Sequence, residues 1–331
     1  MRYLFFLGLS SLLVIAIWIG MFFVQLGAPT QHSKWVHEAY ELKERAASAI
    51  VRSKVLIVSG SNSLFGFNSR KLEDHWGIPV VNGAVHAGLD LPYILERSKR
   101  SLVKGDLVLL PLEYQFYQSD GEFSEIFIDF IVSRDPGYFF ELSVADQALV
   151  IFKTSLDRMV TGLMYKFFRN TKPTMGVYGV QSINEYGDQI NLEPENMTER
   201  EYAGLAAAKD IDVGSGTLSV EFVEAFDNYS AWATRNGICL IGMPPNRLRF
   251  ESAESEMHRK LFDSIRGFFR RRNLAFIGDN YDYMYDKRLY FNTASHLNAV
   301  GVEVRTEQVL IDLGRDPYNH CKNIRYGAGI D

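Results

Sequence analysis

The hydrophobic pattern of this chain changes period several times along its 331 residues. From Tyr3 to Leu26 it is nearly unbroken, YLFFLGLSSLLVIAIWIGMFFVQL, with no Asp, Glu, Lys or Arg between Arg2 and Lys34. A helix rising about 1.5 Å per residue needs about 20 such residues to cross a bilayer's hydrocarbon core. A cleaved signal peptide has a shorter apolar centre and a small-residue exit, which Gly27-Ala28-Pro29 matches poorly. Residues 1–27 therefore read as an uncleaved transmembrane signal-anchor. Charge leaves its orientation open. Arg2 on one side faces Lys34, Lys43 and Arg45 on the other, and large following domains are exported despite such a bias.

Residues 28–54 are polar, with Trp35, Ala39, Leu42 and Ala46 at helical spacing, and predict a stalk or amphipathic helix. Then the period shortens. Val55-Leu56-Ile57-Val58 predicts a first strand, Ile78 to Asn82 a second, and Leu107 to Leu112 a third of the kind buried on both faces. Helical stretches separate them, around Ser69 to His75 and from Leu91 to Lys104, where Gly105-Asp106 stops the pattern. Phe123 to Arg169 is helical and rich in Phe, Leu and Ile, a helical insertion at about 119–175 that faces either its own core, the membrane or a partner. Met175 to Thr198 predicts a loop or hairpin. The alternation resumes with helix Ser219 to Asn236, strand Ile238 to Met243, helix Ser255 to Arg272, strand Leu274 to Ile277 and last helix Ala299 to Leu313. This order predicts an α/β domain over 55–313, a parallel sheet between helical layers, followed by a tail at 314–331.

Composition adds exclusions. A hydrophobic fraction of 47% with 23% charged residues is that of a folded protein, not a disordered or fibrous one. A net charge of -5 provides no general attraction for nucleic acid. Two cysteines, Cys239 and Cys321, are too few for a disulfide scaffold or a cysteine-only metal site, and Cys239 sits in an apolar run as a small buried hydrophobe. No His/Cys/Asp/Glu group has zinc spacing and no glycine-rich phosphate loop is present, so no cofactor or metal is expected.

Candidate chemistry gathers at two places. Ser59-Gly60-Ser61-Asn62 follows the first strand directly. A serine on a tight strand-to-helix turn exposes its hydroxyl above the sheet, and the helix start offers N–H donors to an oxyanion. A turn or cap is the plainer reading of the same residues. Near the other end, Phe291-Asn292-Thr293-Ala294-Ser295-His296-Leu297-Asn298, with Gly301, places a histidine just before the last helix. From there it can return to the first strand's carboxyl end as a general base. Weaker candidates are His86, the groove carboxylates Glu185 and Asp188 with Tyr186, and an Arg270-Arg271-Arg272 patch that also suits a helix end.

Together these residues resemble the SGNH (GDSL-like) hydrolase superfamily. They look most like its membrane-anchored branch, related to the D-alanyl transfer protein DltD and alginate O-acetyltransferase-type proteins. The resemblance implies a three-layer, flavodoxin-like sheet. It makes Ser61 the nucleophile, with Ser63 the alternative if the turn is shifted. It places Asn62, Gly83 and Gly88 around the oxyanion, and puts Glu113 where hydrolases of the superfamily carry an asparagine. His296 takes the place of the histidine in the terminal Asp-x-x-His block. The aspartate of that block is missing: Thr293 stands three residues before His296 and Asn292 four before. Either Asn292 orients the imidazole in a weakened triad, or Asp282 or Asp286 serves, or activity is lost.

The resemblance implies an extracytoplasmic O-acyltransferase or esterase on the inner membrane, acting on a cell-envelope glycan. It also implies a partner, a membrane-bound O-acyltransferase (MBOAT-type) protein that carries the acyl group across. The same residues fit two other expectations. One is a non-catalytic binding or scaffold protein of an envelope polysaccharide-modification system, and the other is a lipid-directed esterase.

Overall fold

The computed structural model describes residues 2–168 and 176–322. They form two compact units, one drawn from Met1–His37 and Phe123–Thr174, the other from Glu38–Glu122 and Met175–Asp331. The ends of the expected insertion and tail, 169–175 and 323–331, lie outside the described residues.

The first unit holds α1 (Arg2–Gln25), which is long and apolar enough to cross a membrane or to act as a signal sequence. The second unit holds most of α2 (Lys34–Ser48), the amphipathic helix expected from its spacing. It is built on a five-stranded parallel sheet. β1 (Val55–Ile57), α3 (Ser61–Leu64), α4 (Ser69–Trp76), β2 (Val80–Asn82), α5 (Leu91–Ser98) and β3 (Leu107–Leu110) follow in order. Every residue of β1, β2 and β3 is buried, as a parallel sheet covered on both faces requires. The helix expected to reach Lys104 ends at Ser98 and tightens into a 3₁₀ turn, Lys99–Ser101.

Between β3 and β4 the chain forms α6 (Glu125–Arg134), α7 (Pro136–Glu141), α8 (Val144–Lys153) and α9 (Leu156–Phe168), which belong to the first unit. Returning to the second, α10 (Glu199–Ala206) is a helix not expected from the hydrophobic pattern, fixed by a capping box between Thr198 and Glu201. α11 (Val220–Arg235), β4 (Cys239–Gly242), β5 (Arg247–Leu248), α12 (Glu256–Arg271) and β6 (Ala275–Phe276) come next. Ser219 and Ser255, expected as first helical residues, are instead the caps, each accepting from the N–H three residues on. β7 (Met284–Tyr285) pairs with β5, β8 (Tyr290–Thr293) with β9 (His296–Leu297), and α13 (Ala299–Leu313) closes the unit.

The main sheet runs in the order β2-β1-β3-β4-β6, with β1 between β2 and β3. Val55, Ile57, Leu107, Leu109 and Ile241 point into one core cluster, closed by Phe67, Leu72, Val309 and Leu313 from α13 and the α3–α4 region. A buried ion pair, Lys54 Nζ to Asp106 at 2.6 Å, fixes the amino ends of β1 and β3. One expectation is corrected. Cys239 is buried, but it is disulfide-bonded to Cys321, across 82 residues of chain. The start of the tail is accordingly docked, and Tyr318 donates to Gly105 O at 2.9 Å.

Candidate active site

In an open parallel sheet, ligands bind beyond the carboxyl ends of the strands where the order reverses. Here the chain leaves β1 for β2 on one side and crosses to β3 on the other. Ser59 to Asn62 follow β1 and Glu113 follows β3, so both reach this point.

The serine turn is built around the Glu113 carboxylate, which is 4% exposed. Its Oε2 accepts from Ser59 Oγ at 2.7 Å and from Gly60 N at 3.0 Å, and its Oε1 accepts from Asn62 N at 3.2 Å. The space is tight. A Cβ on Gly60 would lie 2.4 Å from Glu113 Oε1 and 2.6 Å from Ala87 Cα, so only glycine fits between carboxylate and loop. Asn62 turns inward, donating to Ser59 Oγ at 2.9 Å and Pro111 O at 3.1 Å. Ser63 is buried and donates to Asn62 Oδ1 at 3.2 Å, so it is not a free nucleophile. Ser61 stands at the start of α3, half-buried, with no hydrogen bond from its hydroxyl or its own N–H among the described residues.

His296 lies in the β8–β9 hairpin rather than in an open loop. Its Nδ1 is 2.7 Å from Asn292 Oδ1. Because a carboxamide oxygen only accepts, Nδ1 must carry the proton and Nε2 is left as the basic nitrogen. The other end of the Asn292 amide donates to Tyr178 Oη at 2.9 Å. Phe65 lies flat on the imidazole, ring centroids 4.1 Å apart and planes 7° apart. Phe65 also ties the two halves together. Its N–H bonds to Ser61 O at 3.1 Å and its carbonyl accepts from Leu297 N at 3.2 Å. Burial, with a smaller contribution from the neighbouring His86, pushes the His296 pKa down to about 3, so the ring is neutral at ordinary pH. No hydrogen bond joins Ser61 Oγ to the ring.

A second tie runs behind the turn. Arg305, on the buried face of α13, is fully buried, and its Nη1 bonds Asn62 O at 2.9 Å and also Asn246 Oδ1. Asn246 Nδ2 in turn donates to Ser295 O at 2.7 Å, next to His296. Gly66 makes room for this link, since a Cβ there would lie 2.1 Å from Arg305 Nη1. Burial pushes the guanidinium down to about 10, which leaves it charged at neutral pH, with its plane 4.2 Å from the Phe67 centroid.

Not every expected residue takes the expected part. Glu113 is engaged as an acceptor of hydrogen bonds from the turn. The amides of Asn62, Gly83 and Gly88 are all engaged, to Glu113 Oε1, Ile57 O and His86 Nδ1 respectively. That leaves the Ser61 N–H as the open donor at the turn. Asp282 and Asp286 are both exposed; Asp286 caps the turn at Arg288, and neither bonds the imidazole. Asp188 is largely buried: it accepts from Ser69 N and Oγ, both at 2.7 Å, and from Asn82 Nδ2 at 3.0 Å. Arg272 pairs with Asp227 and stacks over Phe268 at 3.6 Å.

Asn246, Arg305 and Tyr178 were not singled out from the sequence. Asn246 had a signal, since it follows β4 at a strand's carboxyl end. Arg305 had another, a charge between Val302 and Val309 on the apolar stripe of α13. Tyr178 had none. In comparisons with known proteins, the chain matches no protein-family model and no curated protein.

Proposed function

We propose that this chain is a membrane-anchored, extracytoplasmic serine O-acyltransferase or esterase of SGNH-like architecture. The observation that carries this reading is the Asn292–His296 bond, which leaves Nε2 basic in a hairpin tied through Phe65 to the one unengaged serine of the turn. The sheet order supports it, being the doubly wound order with its crevice beside β1. The disulfide suits an oxidising compartment. Retention of α1 is supported by Phe22 and Gln25, which are fully buried, Phe22 against Phe139 with ring centroids 5.2 Å apart. Cleavage would remove part of a packed core.

In this mechanism Ser61 Oγ attacks the acyl carbonyl as its proton passes to His296 Nε2. The Ser61 N–H stabilises the oxyanion. Collapse releases the donor's leaving group with the proton from His296, giving an acyl-serine. A glycan hydroxyl, or water, then loses its proton to Nε2 and attacks that ester, regenerating Ser61. The envelope glycan and the MBOAT-type donor partner belong to this proposal through the superfamily resemblance, with the helices at 123–168 as the insertion. The test is labelling of the detergent-solubilised full chain by a fluorophosphonate, which phosphonylates an activated serine. Wild type should label and Ser61→Ala should not.

A second reading is the non-catalytic scaffold. It is favoured by the absent Ser61–His296 hydrogen bond and by the amide standing where a triad needs an acid. An unlabelled wild type that folds normally selects it.

A further inference from the structure

We infer that the tip of the α8–α9 hairpin lies in the membrane interface beside α1, with lipid as its occupant. This rests on the reading of α1 as a membrane span. The 24 residues of α1 make a rod of about 36 Å, against a hydrocarbon core of about 30 Å. With Arg2 at one boundary, the far boundary falls near Phe22, and Trp18 lies about 6 Å inside it. Trp18 Nε1 donates to Ile151 O at 2.9 Å, so the end of α8 sits at that depth. α9 then climbs outward along α1. Gly162 packs on Gln25, where a Cβ would meet Gln25 Oε1 at 2.3 Å, and Lys166 Nζ donates to Leu26 O at 3.2 Å.

The outer face of this hairpin is apolar and uncovered. Phe152 is 58% exposed and Leu156 60%, with Val160, Met164 and Phe168 continuing the stripe at helical spacing. α9 also buries Met159 and Gly162 on its other side. An amphipathic helix in water turns its polar side outward, so an outward side that is an apolar stripe belongs against protein or lipid. Lys153 and Asp157 flank the tip, which limits its depth to the boundary between headgroups and acyl chains. Continuity with the bare surface of α1, where Leu12 and Leu13 are more than half exposed, makes lipid the occupant.

The test uses the full chain in vesicles of phosphatidylethanolamine and phosphatidylglycerol. Single cysteines carry an environment-sensitive fluorophore at Leu156→Cys, Val160→Cys and Met164→Cys, with Leu12→Cys and Val51→Cys as references; the native cysteines are already paired. Lipids bearing a nitroxide in the upper acyl chain should quench Leu156 most, Val160 less and Met164 least. Leu12 should respond best to a mid-chain nitroxide, and Val51 to neither. If Leu12 is quenched but Leu156 and Val160 are not, the anchor stands and the interfacial hairpin is overturned. The face then belongs to protein, and a cross-linked dimer would identify a second copy. If Leu12 is not quenched either, the anchor reading itself falls.

Discussion

A carboxamide behind a catalytic imidazole fixes its tautomer without compensating its charge. Replacing the aspartate of a serine-protease triad by asparagine costs about 10⁴ in rate. Asn292→Asp should therefore raise fluorophosphonate labelling and turnover of an activated ester, with 10⁴ as a ceiling. The site can accept the change, because Tyr178 Oη can reverse its bond and donate to the new carboxylate. The same substitution should raise the His296 pKa from its depressed position, moving the acid limb of the labelling profile to higher pH. No shift of that limb would mean that His296 is not the base. For stability the sign runs the other way in wild type. A folded pKa of about 3 against an ordinary 6.5 gives stability that is complete above 6.5 and lost as pH falls toward 3. His296→Gln should flatten that part of the acid denaturation curve.

Glu113 presents a second test at this scale. Its carboxylate accepts three hydrogen bonds from the serine turn, and Glu113→Gln turns an NH₂ toward at least one N–H or O–H donor. One buried donor left unmatched costs about 1–3 kcal/mol, which calorimetry would read as a lowered Tm. Labelling of Ser61 should fall further than Tm alone explains, because the turn that aims the serine is loosened.

Among the elements, β4 and the segment after α13 are joined covalently. The bridge from Cys239 to Cys321 closes a loop of about 80 residues, and in the chain-entropy account such a loop contributes about 4–5 kcal/mol. Cys321→Ser should lower the denaturation midpoint, and dithiothreitol should destabilise wild type but not the variant. Equal sensitivity of both would show that the bridge does not form. The elements also show which boundaries are legible in a sequence. α13 spans Ala299–Leu313 as its periodicity predicts, because Asn298 caps it by accepting from Gly301 N and Gly314 follows it. The helix that starts at Leu91 is shorter than its pattern predicts. Propensity continues through Lys99 and Arg100, but the chain must turn there to enter β3.

For the molecule as a whole, the prediction concerns topology. Alkaline phosphatase, which folds only where disulfides form, should be active when fused after Lys54 if the α/β unit is exported. Activity of a cytoplasmic reporter alone at that site would place the unit inside and remove both the envelope assignment and the purpose of an anchor.

The sequence by itself determined the apolar helix at the amino terminus, the alternation of strands and helices, and where the serine turn and the histidine fall along the chain. These are local properties. They follow from hydrophobic period, from turn residues and from caps, each of which acts over a few residues. It also marked Asn292 as one candidate partner for the histidine, but it left Asp282 and Asp286 as equals. Only the tertiary structure decided among them, because the choice depends on which side chain the hairpin register brings to Nδ1. The same holds for the inward turn of Asn62, the Glu113 carboxylate under the serine turn, the Arg305–Asn246 link and the Cys239–Cys321 bridge. Each joins residues distant in the chain or depends on how strands pack, and no local pattern encodes such a distance.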